Sequence, residues 1–368
     1  MAAPAVLVQE ILNAVPLTRT PWGGRRILSV KHAVLERRSA EDEALAAVVA
    51  GGRVGESWEI STGNSFPSRL RDRFEGFDRG TPLQSVLASR PALLGTSITS
   101  RVGAHSPLLL KWLHAQDVLS LQVHPARGDR RLQAHEEGKP ESWLVMDVEE
   151  DGALYLGFRS GVTRDDVVAA FGAGREREVL LRFKPRPGDY ISVPPGCVHA
   201  IDAGVLLAEP QFVMPGREGV TLRVSDWGRR YNGQGELDPA GQPRATHWER
   251  ALDTIDWSLP QGEDLLRQLV RPLDHGQPYH PGAATPFPVV AYFSPGEFCY
   301  QGLVPDAYGV VTVWGGQMIL STPEGAHVLA AGESAFIAAT EGRVALPFRL
   351  QSGADGGCGA AFFSIDLS

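Results

Sequence analysis

The sequence predicts an all-β protein built from two strand-rich halves with a few flanking helices. Short runs rich in aliphatic and aromatic residues recur along all 368 residues, and PLLLKWLHA, SWLVMDV, DYISV and YGVVTVWGG are examples. The 41 glycines and 27 prolines are scattered between these runs, which indicates many tight turns between short strands. Hydrophobic residues make up 43% of the chain and charged residues 21%, a balance typical of a folded globular protein.

The chain is long enough for two domains, each with its own core. Residues 229–258, RRYNGQGELDPAGQPRATHWERALDTIDWS, are polar, rich in turn residues and poor in strand signal. We therefore predict one domain over residues 1–245 and a second over residues 246–368. The pattern of strands does not by itself distinguish a sandwich from a barrel.

Helical patterns are fewer than strand patterns. GVTRDDVVAAFGAG places Thr163 three residues before Asp166, the spacing of a capping box, and then shows an Ala/Val face that ends at glycine. TPLQSVLAS and SAEDEALAAVV also predict helices, and all three are expected to flank the β core. RILSVKHAVLE, rich in Ile, Leu and Val, is predicted to be a strand.

The composition excludes several classes of protein. A net charge of −8 argues against a nucleic-acid partner, because phosphate binding calls for a basic face. Three distant cysteines predict neither a disulfide framework nor a thiolate zinc site, and they favour the reducing cytoplasm. The sequence has no run of 18 apolar residues and begins without a basic segment, so we expect no membrane span and no secretory signal. We expect a cytoplasmic protein, and we expect it to be a monomer or a homodimer.

Two candidate metal ligands lie two residues apart in SLQVHP. Residues i and i+2 of a strand point to the same face, so Gln122 and His124 could reach one ion. A histidine on a strand is more often packed in the core or exposed to solvent, and the pair alone is a weak signal.

A second motif strengthens the prediction of a metal site. In RPGDYISVPPGCVHAI, Gly188 is followed by five residues, Pro194, Gly196 and, after two more residues, His199. This spacing resembles the second signature of the cupin family, in which the hairpin returns the chain so that the histidine enters the barrel opposite the first ligands. The alternative is a surface hairpin with an incidental histidine.

The first cupin signature contains two histidines and a downstream glutamate, and here Gln122 occupies the first histidine position. Asp129, Glu136 and Glu137 are the nearest downstream carboxylates, and their charged run is predicted to be a solvated loop. Glu141 in GKPESW begins a predicted strand and could therefore point inward. His114 and His135 are not expected to bind metal.

A set of motifs resembles type I mannose-6-phosphate isomerases, also called phosphomannose isomerases. From Trp22 to Arg229 the sequence contains, in order, PWGG, VGESWEIS, PLLLKWLHAQDVLSLQVHP, GKPESW, YLGF, PPGCVHAI and TLRVSDWGR. The resemblance implies tandem cupin domains, which are double-stranded β-helix or jelly-roll barrels. It also implies one Zn²⁺ per chain, bound by Gln122, His124, Glu141 and His199. Amide, carboxylate and imidazole donors suit zinc and leave room for water, as in catalytic sites.

The resemblance implies the interconversion of mannose 6-phosphate and fructose 6-phosphate through a cis-enediol. Glu209 matches an acidic residue of the family and is the candidate base, although Pro210 departs from the family pattern and fixes the backbone beside it. Arg223 and Lys139 are implied to face the sugar phosphate. The alternatives are a strand-end carboxylate for Glu209, a structural ion pair for Arg223 and a solvated side chain for Lys139. Arg229 is a weaker phosphate candidate.

The second half is predicted to be a degenerate cupin without a metal site. Gly332 and Glu333 stand where the glycine–aspartate turn of a cupin is expected, but no PxGxxH motif follows.

Two alternative functions stay open for the whole chain: a non-catalytic sugar-phosphate-binding cupin, and a metal-dependent isomerase of another sugar phosphate.

Overall fold

The computed structural model describes residues 4–39, 43–323, 325–354 and 356–367, and in them the chain forms two β barrels. Each barrel consists of two sheets that pack face to face around apolar side chains. The prediction of an all-β tandem-barrel fold is confirmed, and α-helices are confined to the outside of the sheets.

The first barrel pairs a six-stranded sheet, in the order β16-β9-β6-β11-β3-β2, with a five-stranded sheet, in the order β13-β4-β10-β7-β8. Numbered along the chain, its strands are β2 (Glu56–Ile60), β3 (Leu108–His114), β4 (Leu121–Val123), β6 (Glu141–Val148), β7 (Leu154–Phe158), β8 (Leu180–Phe183), β9 (Asp189–Val193), β10 (His199–Ile201), β11 (Val205–Phe212), β13 (Leu222–Ser225) and β16 (Val270–Pro272).

The second barrel pairs a five-stranded sheet, in the order β1-β22-β19-β24-β17, with a four-stranded sheet, in the order β18-β23-β20-β21. Its strands are β1 (Val6–Val8), β17 (Val289–Tyr292), β18 (Gly296–Gln301), β19 (Gly309–Gly315), β20 (Gln317–Thr322), β21 (Gly325–Ala330), β22 (Ser334–Ile337), β23 (Ala345–Gln351) and β24 (Gly359–Phe363). Two further pairs of short strands are β5 (Glu136–Glu137) with β12 (Glu218–Gly219), and β14 (Arg230–Tyr231) with β15 (Gln242–Pro243).

Each barrel takes one strand from the other half of the chain. β1, near the N-terminus, pairs with β22 of the second barrel, and β16 pairs with β9 of the first barrel. The division at residue 245 stays a prediction, and these two strands lie across it.

The helices are α1 (Arg26–Ser39), α2 (Glu43–Gly51), α3 (Leu83–Ser89), α4 (Thr96–Val102), α5 (Arg164–Gly172), α6 (Trp248–Thr254) and α7 (Glu263–Leu269). The predicted helices in GVTRDDVVAAFGAG and TPLQSVLAS are confirmed as α5 and α3, and α5 begins with the capping box of Thr163 and Asp166. The helix predicted in SAEDEALAAVV is confirmed from residue 43, while residues 40–42 lie outside the described part of the chain.

The strand predicted in RILSVKHAVLE is wrong, because this segment is helix α1. Its buried positions are Ile27, Leu28, Lys31, Val34 and Leu35, which repeat with the helical period rather than alternating. The β-branched residues favoured a strand locally, but packing of one helical face against the protein core decides the structure.

The large sheets of the two barrels pack back to back, which buries both faces of β3. Leu110 and Trp112 point toward the second barrel, and the indole nitrogen of Trp112 donates to Thr312 Oγ1 at 3.0 Å. The alternate residues Lys111 and Leu113 point into the first barrel. The pleat of one strand therefore joins the two barrels on one side and builds a polar pocket on the other.

Candidate metal centre and substrate pocket

A cavity of about 380 Å³ opens into the first barrel and collects most of the polar side chains that the sequence singled out. It is lined by residues of the N-terminal loop, of strands β2, β3, β4, β6, β11 and β13, and of adjoining loops: Thr18, Arg19, Trp22, Glu56, Trp58, Lys111, Leu113, Leu119, Ser120, Gln122, Lys139, Glu141, Glu209, Gln211, Thr221, Arg223 and Arg244. Its volume falls within the range of small-molecule sites.

His124, Glu141 and His199 form a buried group with the composition of a metal site. Their potential ligand atoms lie within 4.8 Å of one another, and each residue is at most 3% exposed. The two Glu141 oxygens lie 3.2 Å from His124 Nε2 and 3.1 Å from His199 Nε2. The predicted hairpin brings His199 into this position, and a Cβ at Gly196 would lie 2.6 Å from the Cβ of Asp256, so only glycine fits there.

The hydrogen bonds of the two histidines leave both inner nitrogens free to bind a cation. His124 Nδ1 lies 3.0 Å from the carbonyl oxygen of Val220, and His199 Nδ1 lies 2.9 Å from that of Cys197. Each Nδ1–H can therefore donate to a carbonyl, which places a lone pair on Nε2. Neither Nε2 has a hydrogen-bond partner. Burial and the nearby Lys139 lower the pKa of His124 to about 4, so its ring is neutral at pH 7.

The lone pairs on His124 Nε2 and His199 Nε2 face the Glu141 carboxylate, and such an arrangement of electron donors is suited to binding a cation. Burial opposes the ionisation of Glu141, but its pKa lies well below its usual range, and the positive charge of Lys139 contributes to this shift. Gln211 donates to Glu141 Oε2 at 2.7 Å and helps to fix the carboxylate. The donor set is that of a catalytic zinc site with two imidazoles and one carboxylate.

Gln122 lies beside this group. On β4 it is the backbone partner of His199 on β10 and of Arg223 on β13, so the three side chains occupy one row across the sheet. Its amide nitrogen donates to Ser120 Oγ at 3.1 Å, which leaves the amide oxygen as a potential ligand. All four predicted metal ligands are thus brought together, and the role of each as a ligand stays a prediction.

Glu209 is buried in the same pocket, 4% exposed. Its Oε2 lies 3.4 Å from Lys111 Nζ, and its Oε1 accepts a hydrogen bond from the indole nitrogen of Trp143 at 3.1 Å. Burial, and then the charge of Glu141, raise the pKa of Glu209 to about 7. Pro210 does not divert the strand, because β11 keeps an unbroken register with β3 through this residue.

The sequence analysis missed Lys111. Its ammonium lies between Glu209 and Glu56, 3.7 Å from the Glu56 carboxylate, and 5.2 Å from the centre of the Trp58 ring. Burial opposes its charge, but the two carboxylates outweigh burial and raise the pKa of Lys111. A signal was available, because a single lysine inside the apolar run PLLLKWLHA must have a partner when that strand is buried.

Lys139 and Arg223 both line the pocket. Lys139 Nζ lies 3.4 Å from Glu141 Oε2 and its side chain is 12% exposed, so it is not a solvated loop lysine. Arg223 Nη1 donates to the carbonyl oxygen of Ala245 at 2.7 Å, whereas its Nε is buried without a partner. The weaker candidate Arg229 lies outside this pocket and is held by Asp117 and Asp226.

Two histidines and two glutamates that the sequence analysis discussed lie outside this group. His114 accepts from the amide of Arg26 and faces Glu149, and His135 is exposed, so neither reaches the pocket. The predicted solvated loop at Glu136 and Glu137 is wrong. Both residues are less than 9% exposed on β5, and they are paired with the basic residues Arg250 and Arg217.

Sequence comparison finds curated relatives that share one name, although no family model matches the chain. A mannose-6-phosphate isomerase of Streptococcus mutans is 31% identical over 260 residues, which are 71% of this chain and 70% of that protein. The mannose-6-phosphate isomerase ManA of Bacillus subtilis is 28% identical over 254 residues, 68% of this chain and 71% of that protein. The chain belongs to the mannose-6-phosphate isomerase family. The family resemblance of the sequence motifs is therefore confirmed.

Solved structures with the same fold carry the same family name. The mannose 6-phosphate isomerase of Bacillus subtilis superposes with a TM-score of 0.69 at 20% identity and covers 99% of this chain and 100% of its own. A mannose 6-phosphate isomerase solved in a zinc-bound holo form superposes with a TM-score of 0.64 at 16% identity over 100% of both chains. At these identities the likeness establishes the fold. Among the described residues, no helix combines the length and apolar character needed to cross a membrane.

Proposed function

We propose that the protein is a metal-dependent aldose–ketose isomerase that interconverts mannose 6-phosphate and fructose 6-phosphate through a cis-enediol. The observation that carries this proposal is that Glu141, the carboxylate of the buried His124–Glu141–His199 group, lines the same cavity as the buried carboxylate of Glu209. The His124–Glu141–His199 group offers a cation site, and Glu209 offers a group that can accept a proton near neutral pH. A cytoplasmic monomer or homodimer stays a prediction.

The cation that we propose is one zinc ion per chain, bound by His124, Glu141, His199 and the amide oxygen of Gln122. The zinc-bound form of a structural neighbour supports the choice of metal. When bound, zinc would supply Lewis-acid polarisation of the oxygens on C1 and C2 of the open-chain sugar.

Glu209 is proposed to move the proton between C1 and C2. With a pKa of about 7, an appreciable fraction of this carboxylate is ionised at neutral pH, while the carboxylic acid can return the proton in the second half of the reaction. Trp143 and Lys111 fix one oxygen each, so the carboxylate is oriented before substrate binds. Lys111 also supplies a positive charge beside the place where enediolate charge develops.

Lys139 is proposed to face the substrate from the metal side of the pocket, and Arg223 is proposed to face it from the far side. Lys139 contacts Glu141 and can stabilise negative charge close to the reacting carbons. The location of Glu209 and Arg223 inside the pocket favours an isomerase over a non-catalytic sugar-phosphate-binding protein, since a pure binder has no need of a buried base.

The decisive experiment is a coupled assay of mannose 6-phosphate against a small panel of other aldose phosphates, before and after treatment with a chelator. We expect mannose 6-phosphate to have the highest kcat/KM, chelation to abolish turnover and added zinc to restore it. A higher kcat/KM for another aldose phosphate would replace the substrate, and full activity in verified metal-free protein would refute the metal dependence.

A further inference from the structure

The row of side chains that begins at the metal group ends at a cluster of arginines. His199, Gln122 and Arg223 are backbone partners across β10, β4 and β13. Neighbouring strands lie about 4.8 Å apart, so Arg223 starts about 10 Å from His199 along this row. An open-chain hexose 6-phosphate carries its phosphate at the end opposite C1 and C2. A sugar bound with C1 and C2 at the metal group therefore directs its phosphate toward Arg223.

Arg244 is the second guanidinium at this end of the pocket. It lies in the segment after β15, and this segment also supplies the Ala245 carbonyl that Arg223 contacts. Asp226 holds Arg244 through two parallel hydrogen bonds, with Nε to Oδ2 and Nη2 to Oδ1 both at 2.6 Å. The guanidinium also lies 5.0 Å from the centre of the Tyr231 ring. Asp226 and Tyr231 thus fix its position, and the pair with Asp226 uses only Nε and Nη2.

The positive charge of the cluster exceeds the negative charge that balances it. Arg229 pairs with Asp226 and with the half-exposed Asp117, and Arg244 pairs with Asp226. Neither carboxylate pairs with Arg223, whose Nη1 donates to the Ala245 carbonyl. Burial and then the charge of Arg244 lower the pKa of Arg223. Arg223 Nε remains a buried donor without a partner. Three neighbouring guanidinium groups and the unpaired buried Nε of Arg223 would be stabilised by an anion that binds from solvent.

We propose that Arg244, braced by Asp226, binds the substrate phosphate together with Arg223 and determines the preference for phosphorylated over unphosphorylated sugar. This inference rests on the proposed function and extends it to a residue that the motifs of the sequence did not indicate. A guanidinium presents planar donors that match phosphate oxygens, and its fixation by Asp226 reduces the rotamer entropy lost on binding. Arg229 contacts Asp226 from outside the pocket, so Asp226 keeps one partner when Arg244 is removed.

The test compares Arg244→Ala and Arg244→Lys with Arg230→Ala in the zinc-loaded protein. Arg230 is an exposed residue of the same hairpin, bonded to the Gly241 carbonyl and absent from the pocket, so it controls for a simple loss of positive charge. We expect Arg244→Ala to raise KM for mannose 6-phosphate about 10- to 100-fold, as loss of a charge-assisted hydrogen bond predicts. We expect kcat to change less than about threefold, the lysine variant to recover part of the loss, and Arg230→Ala to match the wild type.

Calorimetric titration of mannose 6-phosphate and of mannose separates a specific phosphate contact from general damage. The proposal requires Arg244→Ala to weaken binding of mannose 6-phosphate and to leave binding of mannose unchanged. A KM within twofold of wild type, or equal weakening of both sugars, would overturn it.

Failure of the proposed function gives a different result. If the wild-type protein does not isomerise mannose 6-phosphate, Arg244 is tested by titrating inorganic phosphate into the zinc-loaded wild-type and Arg244→Ala proteins. Weaker phosphate binding by the variant then supports the anion site, and equal affinities overturn it.

Discussion

The two barrels share one architecture but differ in the side chains that point inward. In the first barrel the inward positions carry His124, Glu141 and His199. In the second, aromatic rings fill the interior, and Tyr300 stacks on Phe362 with ring centroids 4.2 Å apart. The strand pairing provides the same frame in both, and the polarity of a few inward residues decides whether that frame holds a reactive pocket or a core.

The two glycine turns differ in the same way. In the first barrel the turn at Gly188 leads into the hairpin that delivers His199. In the second, Gly332 packs against α1, where a Cβ would lie 2.5 Å from Lys31 Cγ, and its carbonyl accepts a hydrogen bond from Lys31 Nζ at 2.6 Å. Lys31 also pairs with the buried Glu59 at 2.8 Å. The second turn therefore joins the two barrels.

Removing a metal ligand should have the largest effect on activity. We expect His199→Ala to lose bound zinc and to lower kcat/KM by about 10³ or more, because several kcal/mol of charge stabilisation disappear. His327→Ala, which removes a histidine of the second barrel, is the matched control and should leave both quantities unchanged. Metal content by mass spectrometry and the isomerase assay measure the two effects. Zinc retained at full occupancy in His199→Ala would contradict the ligand assignment.

Replacing the candidate base should separate chemistry from metal binding. Glu209→Gln keeps the shape of the side chain, and we expect kcat to fall by a factor on the order of 10² to 10⁴ while zinc content stays constant. Turnover equal to wild type would assign the base to another residue.

A large-to-small substitution inside the second barrel should lower the stability of the protein and leave its activity unchanged. Phe348 packs against Tyr292, Phe298 and Phe362, and its replacement by alanine should cost about 3–5 kcal/mol of unfolding free energy. Because this core lies outside the pocket, we expect kcat of the folded, zinc-loaded variant to stay near the wild-type value. Denaturant unfolding and the isomerase assay test the contrast, and a loss of kcat without loss of stability would show that the second barrel contributes to the chemistry.

The pH dependence should give the smallest but most specific effect. The base acts when ionised, so kcat/KM should rise with pH and reach half its maximum near 7, the pKa to which burial and Glu141 raise Glu209. The positive charges of Lys111 and Lys139 lower the pKa of Glu209, whereas the negative charge of Glu56 raises it. Lys111→Met should therefore move the midpoint to higher pH. A midpoint that stays in place would mean that Lys111 does not act on the base.

Local motifs indicated parts of the candidate metal group, and the family resemblance implied the full set. Gln122 lies on β4 and His124 directly follows this strand, and the glycine–proline hairpin precedes His199, so the direction of these side chains depends on residues close by in the sequence. The same holds for the capping box of α5. Lys111 and Arg244 were missed, since their roles depend on contacts between strands and loops far apart in the chain.

The errors have the same physical origin. Glu136 and Glu137 stand in a charged run, but pairing with Arg250 and Arg217 from distant segments holds them in a buried short strand. Helix α1 has strand-like composition, but one of its faces packs against the core shared by the barrels. In both cases long-range packing overrides local preference.

The most direct test is a stoichiometric zinc titration of the metal-free protein, followed by the isomerisation of mannose 6-phosphate. The first barrel supplies a single group of ligands in the described part of the chain, so activity should rise linearly and level off at one zinc per chain. His199→Ala should stay inactive throughout the titration. Full activity before any zinc is added, or no isomerisation of mannose 6-phosphate at saturating zinc, would contradict the account.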